Sequence, residues 1–527
     1  MRFLRHNLLQ KLILFLGLAA FTAGSTLAIA QSEADLPDIG YPGGELIGKN
    51  DEYDVALMAL REMRAQNVLI EDPESTEYIQ SLGTRLAAQS LDGAAHFHYV
   101  VFNDSDINAE AVPGGLIFCN YGLILATANE SELAGVLAHE TAHVTQHHGV
   151  RGAEAQTRQT LTAAAAMLAA IVIGAMGGGA PAVEGGIAAA QGMMVQQEIN
   201  FSRGEEEEAD RIGMGYLAAA GFDPEGMPDF FETFLQRYGY QESLYPKFLI
   251  DHPIFPDRIA DARARAAQLP RPRNLKDSVS YGLIKERLRV ITAPEDYDIL
   301  GYYHKLATIG PPTLSDQYGL ALALMRLNRP REAVAILQPL VTQNQSVTLL
   351  RSALGQAQVA AGDVPGGLKT FADAEVLFPR NVALSVRYAE TLIKVGRPRQ
   401  AHQLLDDLFD NAEPTPRQIE LIAQAASAAG DMGDAYDYMG EYYIANGSLT
   451  LATQQFELAL RVPHLTNVQR ERFAARLSEI RDFLAEVRRE NHGRLPQGML
   501  GGESSLDESP ISGDLPPSGD QPFGWTH

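Results

Sequence analysis

The chain has 527 residues, more than one hydrophobic core serves, so two or three domains are expected. Asp and Glu outnumber Lys and Arg by 66 to 42, for a formal net charge of −24. Such a chain repels phosphate backbones and anionic lipid surfaces, which argues against nucleic-acid binding and against a polybasic grip on membranes.

Residues 1–30 read as a secretory signal. Arg2, Arg5 and Lys11 supply the positive region, and Leu12 to Ala20 the apolar core. Ala28-Ile29-Ala30 is a small-residue cleavage site before Gln31, and the apolar core is short for a membrane span. A polar lead with Pro37 and Pro42 follows, then helical periodicity over 52–64 and 75–90. Phe97 to Phe102 is rich in strand formers. Leu116 to Phe118 is a second strand candidate, entered through Pro113-Gly114-Gly115. Cys119, the single cysteine, can form no internal disulfide and reads as a small buried hydrophobe.

A helix beginning at Asn129, with Glu132 three residues on, carries a capping-box pattern. It contains His139-Glu140-Thr141-Ala142-His143, an H-E-x-x-H motif in an apolar run. Histidines at i and i+4 project from one helix face, so both rings can reach one Zn²⁺. The glutamate between them can activate a water. Five residues spaced this way also arise by chance, so a third ligand must be found.

Residues 161–190 are nearly free of charge and rich in Ala and Gly. Leu161 to Ala180 has the length of a bilayer span, but Gly177-Gly178-Gly179 interrupt it. We read it as a buried or lid-like helical hairpin, with peripheral membrane contact as the alternative.

Two schemes supply a third zinc ligand. The extended motif H-E-x-x-H-x-x-G-x-x-H fails, because Gln146 and Gly149 stand where glycine and histidine are required. That leaves His147 and His148 at the surface or in support of a ligand. The gluzincin scheme uses a glutamate on a later helix with an aspartate four residues beyond. Glu206 and Asp210 have that spacing, although the run Glu205 to Glu208 leaves the choice open by spacing alone.

The second half is a repeat array. Turn positions fall at Asn328, Gly362, Gly396 and Gly430, each 34 residues apart. Small residues keep the same phase before them (Ala321, Gly355, Ala389, Ala423) and after them (Ala333, Gly367, Ala401, Ala435). Gly447, with Gly440 and Ala452, repeats the pattern half a period on. This period, with small residues where helices cross, is the tetratricopeptide signature. Residues 281–291 and 297–307 read as a degenerate leading pair, and residues 491–527 as a disordered tail containing Phe523 and Trp525.

The segment E-x-x-A-D at Glu206 to Asp210, following H-E-x-x-H, resembles peptidase family M48. Leu36-Pro37-Asp38-Ile39-Gly40, Asn108-Ala109, Phe201-Ser202, Asp210-Arg211-Ile212-Gly213 and Asp251-His252-Pro253 with Arg258 are similar to a periplasmic branch of that family. In that branch tetratricopeptide repeats follow the peptidase domain. The resemblance covers roughly residues 35–490.

It implies Glu206 as third metal ligand beside His139 and His143, one Zn²⁺ per chain, Asp210 orienting a ligand histidine, and Glu140 as the catalytic base. It implies that His252 can fill the fourth metal position and hold the enzyme latent. Two roles stay open for Arg258: neutralising its acidic neighbours or stabilising the oxyanion. The strand Gly115-Leu116-Ile117-Phe118 is expected to be an edge that pairs with extended substrate.

The fold expected is mainly α. It comprises a signal peptide (1–30), a zincin-like (gluzincin) α+β metalloprotease domain with a small sheet (31–272) and connecting helices (273–310). An α-solenoid of tetratricopeptide repeats (311–490) and the tail (491–527) complete it. The function implied is periplasmic zinc endopeptidase action on unfolded or misassembled outer-membrane proteins, with the repeats docking the outer-membrane barrel assembly machinery. The alternative is a latent protease acting mainly as a repeat-based chaperone or adaptor.

Overall fold

Apolar periodicity in the first half of the chain produces helices around a small sheet, and the 34-residue period of the second half produces paired helices. The computed structural model describes residues 49–91, 96–155, 203–238, 247–248, 252–254, 256–273, 276–410 and 412–490. The expected leader (1–30), the Ala/Gly-rich segment (161–190) and the tail (491–527) lie outside them. The described residues form two units: 49–70 with 78–281, and 71–77 with 282–490. No described helix is long and apolar enough to cross a membrane.

The first unit contains α1 (Lys49–Ala65), most of α2 (Pro73–Ala87) and strands β1 (His98–Phe102), β2 (Ala109–Val112) and β3 (Leu116–Asn120). The strand order is β1-β3-β2, with β1 parallel and β2 antiparallel to β3. This corrects the expected edge strand. Leu116, Ile117 and Phe118 lie in the central strand, paired on both sides, and Gly115 donates no free edge because His98 N binds its carbonyl at 2.8 Å. Every residue of β3 is buried, as a strand apolar on both faces should be. Among the described residues the edge facing away from β1 is β2, whose Ala-Glu-Ala-Val sequence is too poor in strand formers to be legible.

Beyond β3 come α3 (Tyr121–Ala126) and α4 (Glu130–Thr145), the helix that carries H-E-x-x-H. Asn129 Oδ1 accepts from Glu132 N at 3.0 Å, as the cap pattern predicts. The reciprocal bond runs one residue earlier, from Ala128 N to Glu132 Oε2 at 2.7 Å. Glu130 at the helix start is buried yet satisfied. It accepts from Tyr78 Oη (3.0 Å), Ser278 N (2.7 Å) and Ser278 Oγ (2.6 Å), and its charge sits at the positive end of the helix dipole.

Helices α5 (His148–Ala155), α6 (Arg203–Ala219), α7 (Gly226–Tyr238) and α8 (Pro256–Ala266) complete the unit. Helix α6 crosses α4 closely because Gly213 has no side chain; a Cβ there would lie 2.8 Å from the Ala138 carbonyl oxygen. That approach brings Glu206 and Asp210 to the histidines of α4.

The second unit runs through α9 (Val279–Ile291, shared with the first unit at Tyr281), α10 (Ile299–Ile309), α11 (Leu314–Arg326), α12 (Pro330–Gln343), α13 (Thr348–Ala360) and α14 (Val364–Leu377). It continues through α15 (Val382–Lys394), α16 (Pro398–Phe409), α17 (Pro416–Ala429), α18 (Met432–Ala445), α19 (Leu449–Arg461) and α20 (Asn467–Glu490). The turn residues Asn328, Gly362, Gly396, Gly430 and Gly447 have φ of 56°, 94°, 76°, 87° and 81°. Left-handed backbone ends each helix there, which is why glycine or asparagine recurs. Ala321, Ala333, Ala389, Ala401 and Ala452 are fully buried at helix crossings.

Residues 71–77 belong to this unit, although the residues on either side of them in sequence belong to the first. Arg287 pairs with Asp72 through Nε (2.7 Å) and Nη2 (2.6 Å), and with Glu74 at 2.8 Å. Arg387 binds both carboxylates, Ser352 Oγ donates to Glu74 at 3.0 Å, and Asn381 Nδ2 to Glu77 at 2.6 Å.

Asp437 on α18 gives the unit a pH dependence. It is buried, Arg472 Nη2 lies 3.0 Å from Oδ2, and Oδ1 accepts no hydrogen bond. Burial pushes its carboxyl up to about 7; Arg472 opposes this, while Glu441 and Asp434 add to it. Between about pH 4 and 7 the folded state keeps a proton that the unfolded chain releases. The contribution of Asp437 to stability is therefore full below about pH 4 and falls as pH rises toward 7, by at most about 4 kcal/mol. Asp437→Asn should flatten that decline in urea-unfolding midpoints between pH 4.5 and 7.5; an unchanged slope would rule Asp437 out as its source.

Candidate metal centre

Helix α4 is set in place before its histidines are considered. Its residues from Glu130 to His143 are all buried, and Thr141 Oγ1 on its inner side lies 2.8 Å from Tyr99 Oη on β1. From this helix His139 and His143 bring their Nε2 atoms within 3.0 Å of each other. Glu206, from the first turn of α6, places carboxylate oxygens 3.4 Å from each of those nitrogens. His252 Nδ1 lies 3.3 Å from His139 Nε2 and 3.1 Å from Glu206 Oε1.

Among the described residues these four form the cluster that could hold a metal ion, and all are buried. Donors about 2.0–2.1 Å from a tetrahedral metal stand about 3.3 Å apart, so the spacing fits. The chemistry of the donor set fits as well. Asp210 Oδ1 lies 2.9 Å from His139 Nδ1, which holds a proton there and leaves the Nε2 lone pair pointing inward. Three imidazole nitrogens and a carboxylate converge on one point, and a single cation there would be coordinated by all four.

Glu140 is buried beside this cluster. Its Oε1 accepts no hydrogen bond and lies 3.4 Å from His252 Nε2. Burial pushes its carboxyl up to about 7, with His252 and His139 opposing. Burial also pushes His143 down to about 3, so it is neutral at pH 7, the form that coordinates metals. At His139 burial acts downward, but Asp210 and Glu206 outweigh it and hold the metal-free ring up at about 9, so a metal binding there displaces the Nε2 proton. Burial likewise opposes ionisation of Glu206, yet His252 and Arg258 keep its carboxyl well below the usual range.

Arg258 accounts for much of that balance. Its Nε and Nη2 donate to Asp210 at 2.6 and 2.8 Å, and its Nη1 lies 2.8 Å from Glu206 Oε2 and donates to the Pro253 carbonyl at 3.0 Å. The ring of Phe231 lies 4.8 Å from the guanidinium carbon. Of the two roles left open for Arg258, this geometry favours neutralisation, since four of its five N–H donors face two carboxylates and a carbonyl.

The structure thus brings together His139, Glu140, His143, Glu206, Asp210, His252 and Arg258, and leaves the expected strand 115–118 in the sheet interior. Two neighbouring histidines part company. His147 lies 3.3 Å from Glu52, whereas His148 is buried against His143. Sequence reasoning missed Glu110 on β2, whose charge raises the Glu140 carboxyl further. It also gave Glu208 no part, although the ambiguous glutamate run was the available signal.

Residues 73–266 match Peptidase family M48. The chain is 32% identical over 493 residues to the beta-barrel assembly-enhancing protease of Escherichia coli (strain K12), covering 92% of this chain and 98% of that protein. A putative beta-barrel assembly-enhancing protease of Vibrio cholerae serotype O1 is 32% identical over 86% of this chain and 94% of its own length. Metalloprotease LoiP of Escherichia coli (strain K12) is 28% identical over 37% of this chain and 72% of its own length. Identity of 32% along nearly the whole length, joined to a buried His/Glu donor cluster built around an H-E-x-x-H helix, makes this chain a metalloprotease of peptidase family M48, akin along its length to the beta-barrel assembly-enhancing proteases.

Proposed function

We propose that the chain is a zinc-dependent endopeptidase of the bacterial periplasm that degrades misfolded or misassembled envelope and outer-membrane proteins and assists their assembly. The observation that carries the chemistry is the set of four buried donors at 3.0 to 3.4 Å spacing. His139, His143 and Glu206 would hold Zn²⁺, which supplies Lewis acidity to a scissile carbonyl and acidifies water when bound. Asp210 orients His139, and Arg258 offsets the charge of Glu206 and Asp210. Glu140 takes a proton from water at its carboxylate and returns it to the leaving amine. The edge strand β2, with Glu110 near Glu140, offers its backbone to an extended substrate, a pairing that tolerates many sequences. The relatives' name, beta-barrel assembly-enhancing protease, supports a link to barrel assembly; the outer-membrane clients and the docking of the repeats on the assembly machinery extend that link, and the signal-like residues 1–30 support export.

His252 favours a second reading alongside the first. Its Nδ1 takes the fourth donor position and its Nε2 faces Glu140, so it covers both the site for water and the base. In this state the enzyme is latent, and the repeat array can serve as chaperone or adaptor. His252→Ala should raise cleavage of an unfolded outer-membrane barrel protein, by about tenfold for a covered state favoured roughly ten to one over an open one. A rate equal to or below that of wild type would remove the switch role. The client assay itself compares the mature wild type with Glu140→Gln. Loss of the client only with wild type supports proteolysis, and assembly support by both supports the adaptor.

A further inference from the structure

The two histidines of the H-E-x-x-H helix are supported differently. His139 Nδ1 has a carboxylate beside it, Asp210 at 2.9 Å. His143 Nδ1 instead faces a second imidazole, His148 Nδ1, at 2.9 Å, with the rings meeting edge to face at 80°. The other nitrogen of His148, Nε2, lies 3.0 Å from Glu208 Oε2, and Arg151 Nη1 donates to the same oxygen at 2.9 Å.

The backbone is built for this contact. On an unbroken helix a residue five positions on would point about 140° away from His143. Here α4 stops at Gln146, His147 takes a left-handed φ of 54°, and α5 restarts at His148. The break turns the His148 ring back beneath His143 and buries it. The left-handed residue ends α4 as such residues end other helices of this chain, and here it also re-aims the side chain that follows it.

The protons follow from the ends of the chain of groups. A metal at His143 Nε2 needs a lone pair there, so His143 carries its proton on Nδ1. His148 Nδ1 must then accept that proton's hydrogen bond, which puts the His148 proton on Nε2, where the Glu208 carboxylate accepts it. We infer that His148, fixed by Glu208, is a positioning residue that sets the tautomer and orientation of His143 and thereby the metal affinity of the site. The inference rests on the reading of His143 as a metal ligand. It also gives the glutamate run two separate tasks: Glu206 at the metal, and Glu208 two residues on at the far end of the relay.

The test is zinc affinity of the full mature chain, measured by competition with a chromophoric chelator, with the visible spectrum of the Co²⁺ form as a second readout. His148→Ala and Glu208→Ala should each weaken zinc binding about 10- to 100-fold. The double variant should bind no more weakly than His148→Ala alone, because both act through one contact. His148→Asn, whose Oδ1 can accept where Nδ1 did, should recover binding to within a few-fold of wild type. Glu208 is partly exposed, so its truncation leaves the core intact. Wild-type affinity and an unchanged Co²⁺ spectrum in Glu208→Ala, or losses that multiply in the double variant, would overturn the relay. A lowered unfolding midpoint of the metal-free variants with unchanged zinc affinity would do the same, leaving a packing role only. His143→Ala separates the two levels: if it binds zinc as tightly as wild type, the metal-site reading fails, and the relay with it.

Discussion

Glu140→Gln is expected to lower kcat for peptide hydrolysis by about 10²–10⁴-fold while leaving zinc binding and folding intact. The substitution keeps the shape of the side chain and removes its ability to take a proton. Glu140 is 1% exposed, its Oε1 accepts no hydrogen bond, and its contact with His252 Nε2 at 3.4 Å is one an amide of the same shape can occupy. Burial holds its carboxyl near 7, which is where a general base works best at neutral pH. A neutral amide also escapes the cost of burying a charge, so the metal-free protein should be no less stable. Single-turnover cleavage of an unfolded polypeptide, run beside a zinc-affinity measurement, checks both halves. Activity within tenfold of wild type would remove Glu140 from the base role. Loss of activity with loss of zinc would make it a structural residue instead.

Arg287→Ala should destabilise the repeat unit by about 3–5 kcal/mol. The guanidinium is buried and makes a two-pronged contact with Asp72, a contact with Glu74 and a hydrogen bond to Tyr318 Oη at 3.2 Å. Removing it leaves two buried carboxylates with Arg387 and the neutral donors of Ser75 and Ser352. The burial cost of the unmatched charge then dominates, because little water can reach it. Asp72→Asn together with Arg287→Met should cost much less than the sum of the two single changes, since charge is removed from both sides of the contact. Chemical denaturation followed by two probes, one in each unit, measures this. A loss below about 1 kcal/mol would mean that water or a rearranged Arg387 satisfies the carboxylates.

The amino-acid sequence determined those features that depend on local backbone chemistry and short spacing. The i, i+4 histidines with Glu140 announced a metal centre because one helical turn fixes their geometry. The repeat array was legible because a left-handed turn residue and two crossing positions must recur every 34 residues. The cap at Asn129 was legible for the same local reason.

What the tertiary structure decided depends on which segments meet. Sequence spacing could not separate Glu206 from its neighbours; the helix phase of α6 against α4, set by the close approach at Gly213, points Glu206 at the cluster and Glu208 at His148. Strand order decided that Leu116 to Phe118 lies inside the sheet, because the weakly strand-forming Ala109–Val112 pairs with its outer side. Only folding assigned Asp72 and Glu74 to the repeat unit, through arginines more than two hundred residues away in sequence. Long-range ion pairs leave no periodic trace in a sequence. They are chosen by packing, since a buried charge persists only where a partner is already in reach.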